Sequence, residues 1–258
     1  MDGNTPTFSR AIVRKPGANF AQGLTAAGLG PPDYGLALAQ HAAYCRALRE
    51  QGLELTVLEA DERYPDGCFV EDIGVVAPAC AILTRSGARH RRGEESAIQR
   101  ILEPFLPIER IEPPGVLDGG DVLQAADHFY IGLSGRTDRA GASQLAGILR
   151  RHGYASSMLP VSGVLHLQSG VTWVGGRHLV CTDQFASRPE FADFQRIVVS
   201  PRDAYSANCL HVGGATLMPA GFPATRAALA ALGHHVIELE MSEFRKMDGG
   251  LTCLSIVL

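Results

Sequence analysis

Short apolar runs alternate with polar turns along the chain, and longer amphipathic segments follow several pairs of these runs. In one stretch, runs at 121–124 and 129–133 flank a turn, and apolar residues then repeat at helical spacing as far as Gly153. Short runs rich in Val, Ile, Leu and Tyr are typical of strands, and a glycine commonly ends a helix. The pattern therefore predicts a unit of two strands followed by a helix.

This unit recurs along the chain. Its first strand begins near Asp72, Asp121, Gly170, Asn208 and Cys253, at separations of 49, 49, 38 and 45 residues. Periods of this size are typical of propellers and arrays rather than of a doubly wound sheet. We therefore predict an α/β fold, a five-bladed α/β propeller of ββαβ units with pseudo-fivefold symmetry, as a single domain over residues 1–258. An ordinary α/β sandwich with coincidental spacing is the alternative.

The fifth unit is incomplete, because only LTCLSIVL remains at its start. The missing pieces occur near the N-terminus, as a strand at 8–16, a helix at about 33–51 and a strand at 53–60. Pairing of the first and last strands would close the ring and leave no sheet edge exposed there. The Gly-Gly pair at 249–250 predicts a turn that brings Cys253 into a pocket.

Four of the five units begin on a polar or nucleophilic residue, namely Asp72, Asp121, Asn208 and Cys253. His166 lies just before the unit that begins near Gly170. Equivalent ends of units arranged round an axis converge. We therefore predict that these side chains share one central pocket.

Composition and charge narrow the range of partners. The 23 Lys and Arg residues against 27 Asp and Glu give a net charge of −4, and the basic cluster at 89–92 is followed by Glu94 and Glu95. A nucleic-acid partner is not expected, because phosphate neutralisation needs a basic face. Membrane association is not expected either, since no apolar stretch is long enough to span a bilayer and the N-terminus resembles no signal peptide.

Six cysteines occur without a C-x-x-C pair or a His-rich tract. A zinc site or a disulfide framework is therefore not expected, and a reducing cytoplasm is the predicted compartment. We predict that the protein acts on a small-molecule substrate and needs no metal and no cofactor. A homodimer is possible from the sequence.

Cys253 and His166 form a candidate nucleophile–base pair, since an imidazole can take or return a proton at neutral pH. With six cysteines and nine histidines in the chain, a structural role for each is the alternative. Carboxylates are concentrated in PDGCFVED at 65–72 and in LDGGD at 117–121. Turn formation alone explains the Asp-Gly pairs, but it explains less well why acidic residues recur at matching places in two units.

Carboxylates around a cysteine raise the pKa of its thiol, because a thiolate would add like charge. A bound cation neutralises them and lowers that pKa again. A guanidinium is planar, presents a fork of donors to carboxylates and has a reactive central carbon. We therefore predict a cysteine enzyme that acts on a small guanidine-bearing substrate.

Several stretches occur together in a specific order: PPDYGLALAQHAAYCRALRE, DERYPDGCFVED, RRGEE, LDGGDVL, HFYIGLSGRT, GVLHLQSG, SANCLHV, MPAGFPATR and KMDGGLTCLS. This set resembles the dimethylarginine dimethylaminohydrolase family of the guanidino-group modifying superfamily, over nearly the whole chain. The resemblance implies a five-bladed ring of ββαβ units, which agrees with the periodicity.

The resemblance also implies an activity, the hydrolysis of dimethylarginine and monomethylarginine to citrulline and the corresponding amine. Cys253 would attack the guanidinium carbon to form a covalent thiouronium. His166 would serve as general acid and base, and Asp118 would orient it. The residues implied in substrate binding are Leu24, Asp66, Phe69, Glu71, Asp72, Arg91, Arg136, Met247 and Asp248.

Within this set, Asp72 with Glu71 beside it would hold the guanidinium, and Arg91 and Arg136 would bind the α-carboxylate. Arg92 is the alternative to Arg91, because only alignment with RRGE separates them.

At the amino end of the substrate, Asp66 and the backbone of Leu24 would take the α-amino group. Met247 would add a main-chain contact, and Asp248 would reach toward the substrate nitrogens. Glycines around Leu24 suggest a lid.

Two alternatives stand beside this prediction. Arginine deiminases use similar residues on free arginine, but they carry an extra helical insertion for which this chain has no room. A non-catalytic binding module could keep the pocket without the activity. The joint presence of Cys253, His166, Asp72 and Asp118 disfavours it.

Overall fold

The computed structural model describes residues 9–258, and within them five three-stranded sheets are present. In each sheet the middle strand is antiparallel to one neighbour and parallel to the other. We call the antiparallel neighbour the first strand of the sheet and the parallel neighbour the third. The predicted fivefold repetition of ββαβ units is thus confirmed. Residues 1–8, where we expected no signal peptide and the start of the first strand, lie outside the described residues.

The strands are short, and each sheet combines three of them. Sheet one contains β1 (Arg10–Arg14), β2 (Glu54–Leu58) and β15 (Ser255–Val257), and sheet two contains β3 (Gly74–Ala77), β4 (Cys80–Leu83) and β5 (Ile108–Arg110). Sheet three contains β6 (Val122–Ala125), β7 (His128–Leu133) and β8 (Ala155–Pro160), and sheet four contains β9 (Val171–Trp173), β10 (His178–Thr182) and β11 (Gln195–Val199). Sheet five contains β12 (Leu210–Val212), β13 (Ala215–Pro219) and β14 (His235–Leu239).

A helix precedes the third strand of every sheet. These helices are α1 (Tyr34–Glu50), α2 (Glu95–Leu102), α3 (Arg139–Arg151), α4 (Asp183–Ala186) and α5 (Pro223–Ala231), and a further short helix, α6 (Ser242–Arg245), follows the last sheet. None of the helices in residues 9–258 has the length and apolar character needed to cross a membrane.

Local sequence signals explain the helix bounds. The side chain of Asp33 accepts a hydrogen bond from the backbone N–H of Leu36 at 2.8 Å and so caps the start of α1. Asp138 caps α3 in the same way through Gly141, at 2.7 Å. Beyond the end of α3, Gly153 has a φ of +85°, a conformation that favours glycine. The helices predicted at 33–51 and before Gly153 are therefore confirmed nearly to the residue.

The two ends of the described chain meet in sheet one. Strands β1 and β15 are antiparallel neighbours, with Ile12 opposite Ile256 and Val13 opposite Ser255. Both isoleucines are buried in the same apolar cluster, which also contains residues of sheet two. The predicted pairing of the first and last strands is thus present, and it fixes the backbone just after Cys253.

The first strands of all five sheets, β3, β6, β9, β12 and β15, line one cavity along the axis of the ring. A short 3₁₀ turn precedes each of them, at Val70–Ile73, Gly119–Asp121, Leu167–Ser169, Pro201–Ala207 and Thr252–Leu254. These turns occupy equivalent positions in the five repeats. They therefore bring residues from distant parts of the sequence to one end of the axis.

Matched valine substitutions test the importance of the closing strand pair. Val13 is completely buried in β1, whereas Val198 in β11 is 46% exposed. Val13→Ala should lower the free energy of unfolding by about 2 kcal/mol, because it removes buried methyl groups and leaves a cavity. Val198→Ala should change it by less than about 0.5 kcal/mol. Equal effects of the two variants in urea denaturation would contradict this view of ring closure.

Candidate active site

One pocket brings together most of the predicted site residues. We call it the active-site pocket. Ten of the twelve predicted residues line it: Leu24, Asp66, Phe69, Asp72, Arg91, Arg136, His166, Met247, Asp248 and Cys253. Two lining residues, Leu165 and Gly249, were not predicted. The two predicted residues outside the lining are Asp118 and Glu71, which lie behind the pocket wall.

His166 lies between two carboxylates. Its Nε2 atom is 3.2 Å from Oδ2 of Asp118 and 3.8 Å from Oδ1 of Asp72. Although burial alone lowers the pKa of an imidazole, the attraction of Asp72, the hydrogen bond to Asp118 and the charge of Asp121 raise the pKa of His166 to about 9. The imidazole is therefore protonated at neutral pH and can act as a proton donor.

Asp118 is held in place from several sides. It is fully buried, and its Oδ1 accepts a hydrogen bond from the backbone N–H of Gly87 at 2.9 Å. Burial by itself would raise the pKa of this carboxyl, but the hydrogen bond and charge of His166, helped by Arg91, hold that pKa below its usual value. Asp118 is thus an anion in direct contact with the ring of His166, and its orienting role stays a prediction.

The Cys253 thiol is in its neutral form at neutral pH. Burial, followed by the charges of Glu71 and Asp72, raises its pKa well above the ordinary value. The backbone N–H of Gly250 points at the sulfur, with an N–Sγ distance of 3.3 Å, and favours the thiolate only weakly. The expectation that carboxylates suppress ionisation of this thiol agrees with the geometry.

The Gly-Gly pair before Cys253 serves close packing rather than a turn. A Cβ atom on Gly249 would lie 2.2 Å from the ring of Phe69, and one on Gly250 would lie 2.4 Å from Oδ1 of Asn208. The residue with positive φ is instead Asp248, at +58°. The predicted role of the glycines as turn formers is therefore wrong, and any side chain at either position would displace the segment that carries Cys253.

Arg91 is bound on nearly all sides by the protein. Its guanidinium donates to Asp72 at 2.5 Å, to the backbone oxygen of Phe69 at 2.8 Å, and to both carboxylate oxygens of Glu94 at 2.9 and 3.0 Å. Four of its five N–H groups are thus used, and the side chain is buried. Arg92 bonds the backbone of Ser86 instead, so Arg91 is the member of the basic cluster that faces the pocket.

Arg136 is less fully engaged than Arg91. Its Nη1 atom is 3.5 Å from Oδ2 of Asp118, and a fifth of its side chain is exposed. Because it lines the pocket with donors to spare, Arg136 is better placed than Arg91 to bind an anionic group of a ligand.

The opposite side of the pocket is formed by Asp66 and the loop that follows Gly23. Both carboxylate oxygens of Asp66 accept from the backbone N–H of Leu24, at 3.1 and 3.2 Å. His90 also contacts Asp66, with Nε2 at 3.1 Å from Oδ2. Asp248 accepts from the backbone N–H of Ala26 at 2.5 Å, so two carboxylates of the pocket hold this loop.

Three predicted pocket residues lie elsewhere. Glu71 accepts hydrogen bonds from Gln168 at 2.8 Å and from Thr252 at 2.9 Å on the far side of the wall. Asp121 accepts from the backbone N–H of Leu167 at 2.9 Å, next to His166. Asp121 and Asn208, which we expected in the central pocket, lie outside its lining. The carboxylate of Glu71 is hydrogen-bonded to the Cys253 thiol, and its substrate-binding role stays a prediction. The hydrogen bonds of these three residues fix the segments that carry His166 and Cys253.

Asn208 acts in the same manner as Asp121. Its amide donates to the backbone oxygen of Gln168 at 3.0 Å, and its Oδ1 accepts from the backbone N–H of Thr252 at 3.1 Å. It thereby ties the segment before Cys253 to the segment after His166. Cys209, the residue after Asn208, is buried in an apolar cluster.

Sequence reasoning missed Glu94 and His90. Both lie in the RHRRGEE stretch, whose sequence is typical of a solvated charged segment. Only the tertiary contacts of His90 with Asp66 and of Glu94 with Arg91 distinguish these two residues from their exposed neighbours. The spacing of Glu94 three residues after Arg91 was the available signal, since side chains at this spacing can pair on one face of a turn.

A metal could be considered among Asp72, Asp118 and His166, since their facing atoms lie within 4.8 Å of one another. Arg91 and the protonated His166 already neutralise these carboxylates. The ion-pair network therefore accounts for the cluster by itself.

The geometry can be compared with known proteins. A family model described as N,N dimethylarginine dimethylhydrolase, eukaryotic, matches residues 34–190. The N(G),N(G)-dimethylarginine dimethylaminohydrolase of Pseudomonas aeruginosa is 45% identical over 96% of this chain and 99% of its own length. The chain belongs to the dimethylarginine dimethylaminohydrolase family. The family member from Streptomyces coelicolor is 36% identical over 96% of each chain.

Solved structures of this family agree with the fold. A cysteine-to-serine variant of the P. aeruginosa enzyme, complexed with citrulline, superimposes with a TM-score of 0.96 at 44% identity, over 98% of this chain and 100% of that one. A histidine-to-glycine variant of a dimethylarginine dimethylaminohydrolase, in an adduct with S-methyl-L-thiocitrulline, gives the same TM-score, identity and coverage. The N-terminal domain of the cyanobacterial arginine dihydrolase ArgZ shares the fold. It superimposes with a TM-score of 0.88 at 19% identity, over 98% of this chain and 97% of that one. The family resemblance and the five-bladed architecture are thus confirmed.

Replacing Asp118 should change the charge of His166. Asp118→Asn removes an anion and an acceptor while keeping the shape, so the pKa of His166 should fall from about 9 by at least one unit. The measurement is an NMR titration of the imidazole. Asp127→Asn, in an exposed turn, is the matched control and should leave that pKa unchanged. An unaltered His166 pKa in Asp118→Asn would show that Asp118 does not govern the protonation of this ring.

Proposed function

We propose that the protein hydrolyses dimethylarginine and monomethylarginine to citrulline and the corresponding amine, through a covalent intermediate on Cys253. The observation that carries the proposal is the meeting of Cys253, His166 and Asp72 in one pocket. Family membership supports it, because the relatives named as dimethylarginine dimethylaminohydrolases match nearly the whole chain.

The charges of the pocket favour a cationic substrate. Asp66, Asp72 and Asp248 line it, and Glu71 and Asp118 lie directly behind its wall. A guanidinium that binds against Asp72 would neutralise the carboxylate that suppresses ionisation of Cys253, so substrate binding itself would lower the pKa of the thiol. The nucleophile is thus formed only when a cation occupies the pocket.

In the first step, the Cys253 thiol releases its proton to solvent as the guanidinium binds, since His166 is already protonated, and the thiolate forms a C–S bond to the guanidinium carbon. The C–N bond to the methylated nitrogen then breaks. His166, protonated in the resting state, donates its proton to the departing amine. The products of this step are a free amine, a thiouronium on Cys253 and a neutral imidazole.

In the second step, the neutral His166 accepts a proton from a water molecule, whose oxygen attacks the thiouronium carbon. The C–S bond breaks, and the sulfur leaves as a thiolate that takes up the remaining proton of the added hydroxyl group. This releases citrulline and restores the imidazolium. Asp118 would stabilise the charged imidazole in both steps, since it contacts Nε2 of His166 directly.

The remaining contacts would orient the amino-acid end of the substrate. Arg136 would bind the α-carboxylate, and Asp66 with the Leu24 segment would bind the α-amino group. Arg91, with one N–H group left, would mainly hold Asp72 in position. The loop around Leu24 forms part of the pocket wall, so we infer that it moves when the substrate enters.

The direct test is a substrate panel with purified protein. Citrulline and dimethylamine should form from dimethylarginine, and Cys253→Ser should lower kcat at least 100-fold because the nucleophile is lost. Cys45→Ser is the matched control, since Cys45 is a buried cysteine in α1, away from the pocket, and it should retain activity. The result would instead support a deiminase if kcat/KM on unmethylated arginine equalled or exceeded that on dimethylarginine. Retention of a tenth of the activity in Cys253→Ser would exclude Cys253 as the nucleophile.

The two arginines should respond differently to lysine substitution. Arg136→Lys should raise KM for dimethylarginine about tenfold with little effect on kcat, because a bidentate contact made equally in ground and transition states is lost. A substrate analogue without the α-carboxylate should show no such increase. Arg91→Lys should instead lower the free energy of unfolding by about 2 kcal/mol, because a lysine keeps the charge but cannot reproduce the four hydrogen bonds to Asp72, Phe69 and Glu94. The proposed division of roles fails if both variants change KM alike.

The setting of this activity also belongs to the proposal. We infer a single catalytic domain that acts on a small molecule in the cytoplasm, without a nucleic-acid or membrane partner. All six cysteines are free in residues 9–258. A homodimer is compatible with this function.

A further inference from the structure

A second cavity lies back to back with the active-site pocket. We call it the rear cavity. It encloses about 130 Å³ and is lined by the first strands of all five sheets. Glu71 and Thr252 line the rear cavity, whereas the residues that follow them, Asp72 and Cys253, line the active-site pocket. The two spaces are therefore separated by a wall one residue thick.

The floor of the rear cavity carries a carboxylate, Glu71, that forms no salt bridge in residues 9–258, although the charge of His166 and a hydrogen bond from the Cys253 thiol both lower its pKa. Glu71 is bonded by Gln168 and Thr252, both neutral. Burial and the neighbouring Asp72 raise the pKa of Glu71 to about 8. A positively charged group in the cavity would offset the free-energy cost of ionising Glu71, because it would stabilise the charged carboxylate.

The walls of the rear cavity combine apolar and aromatic surface with polar side chains, among them Gln124, Thr172 and His211. Val75, Phe129 and Ile256 supply apolar surface, and the indole of Trp173 lines the same space. Methyl groups pack favourably on such surface, and an ammonium ion is attracted both to a carboxylate and to the face of an indole. The volume is enough for roughly four water-sized groups. These features together fit a small methylated ammonium ion rather than an amino acid.

The proposed reaction produces a molecule of this kind. In its first step an amine leaves while the rest of the substrate stays bonded to Cys253 and fills the active-site pocket. We propose that the rear cavity is a binding site for the alkylammonium product, dimethylammonium or methylammonium, with Glu71 as its counter-ion. The source of the ligand rests on the proposed function, but the binding does not, so the two can be tested separately.

Trp173 provides a direct probe, because it is the one tryptophan of the chain and it lines the rear cavity. The experiment titrates dimethylammonium chloride into the protein at constant ionic strength and follows tryptophan fluorescence, with no substrate present. A saturable change in the millimolar range is expected for so small a ligand. Isopropanol, an uncharged probe with two methyl groups, should give no saturable change. A linear response to dimethylammonium would overturn the proposal.

Two variants locate the site. Glu71→Gln should weaken dimethylammonium binding at least tenfold, whereas Glu59→Gln, at an exposed surface position, should not change it. Val76→Phe keeps Glu71 but fills the cavity from β3, so it should abolish the fluorescence response even if Glu71→Gln proves unstable. Unchanged affinity in the folded variants would place the ligand elsewhere.

Saturating citrulline separates the rear cavity from the active-site pocket. Citrulline should occupy the active-site pocket and leave the affinity for dimethylammonium within twofold. Competition between the two would assign the ammonium to the active-site pocket and overturn the proposal. Because no turnover is needed, failure of this experiment leaves the proposed hydrolysis intact, and failure of the substrate panel leaves the rear cavity site intact.

Discussion

The structure depends on the burial of several carboxylates close to one another. Asp72, Asp118 and Asp121 are all buried near His166, and so many buried anions are tolerable only where cations and N–H donors compensate them. The protein supplies Arg91, the protonated His166 and, at 3.5 Å from Asp118, Arg136. This compensation keeps His166 charged, but it leaves Cys253 uncharged. The same electrostatic arrangement therefore determines the resting state of both reactive groups.

The ring brings these charges together from segments far apart in sequence. Asp72 precedes sheet two, Asp118 precedes sheet three, His166 precedes sheet four, and Cys253 precedes the last strand of sheet one. No two of them are close neighbours along the chain, so a shift of any blade would separate charges that neutralise one another. The pairing of β1 with β15 matters for the same reason, since it fixes the backbone next to Cys253.

Much of this organisation could be predicted from the sequence, and the failures have a common cause. The repeat length, the two strands and helix of each unit and the pairing of the chain ends follow from periodicity. The direction of single side chains does not, because adjacent residues in the 3₁₀ turns point to opposite sides of the wall. Glu71 and Asp72 are both acidic and adjacent, yet one faces the rear cavity and the other the active-site pocket. Glu94 was missed because burial of its partner Arg91 is a tertiary property.

A thiol that is neutral until a cation arrives makes charge, rather than shape alone, the basis of selectivity. Neutral or anionic electrophiles that enter the pocket would meet a protonated Cys253, because they cannot neutralise Asp72. The same logic applies to product release in the proposed reaction. Citrulline carries a neutral ureido group where the substrate carried a guanidinium, so its formation restores the uncompensated carboxylates. The product is therefore bound less tightly at the reacting end than the substrate, and the charge that activates the nucleophile disappears in the reaction that it promotes.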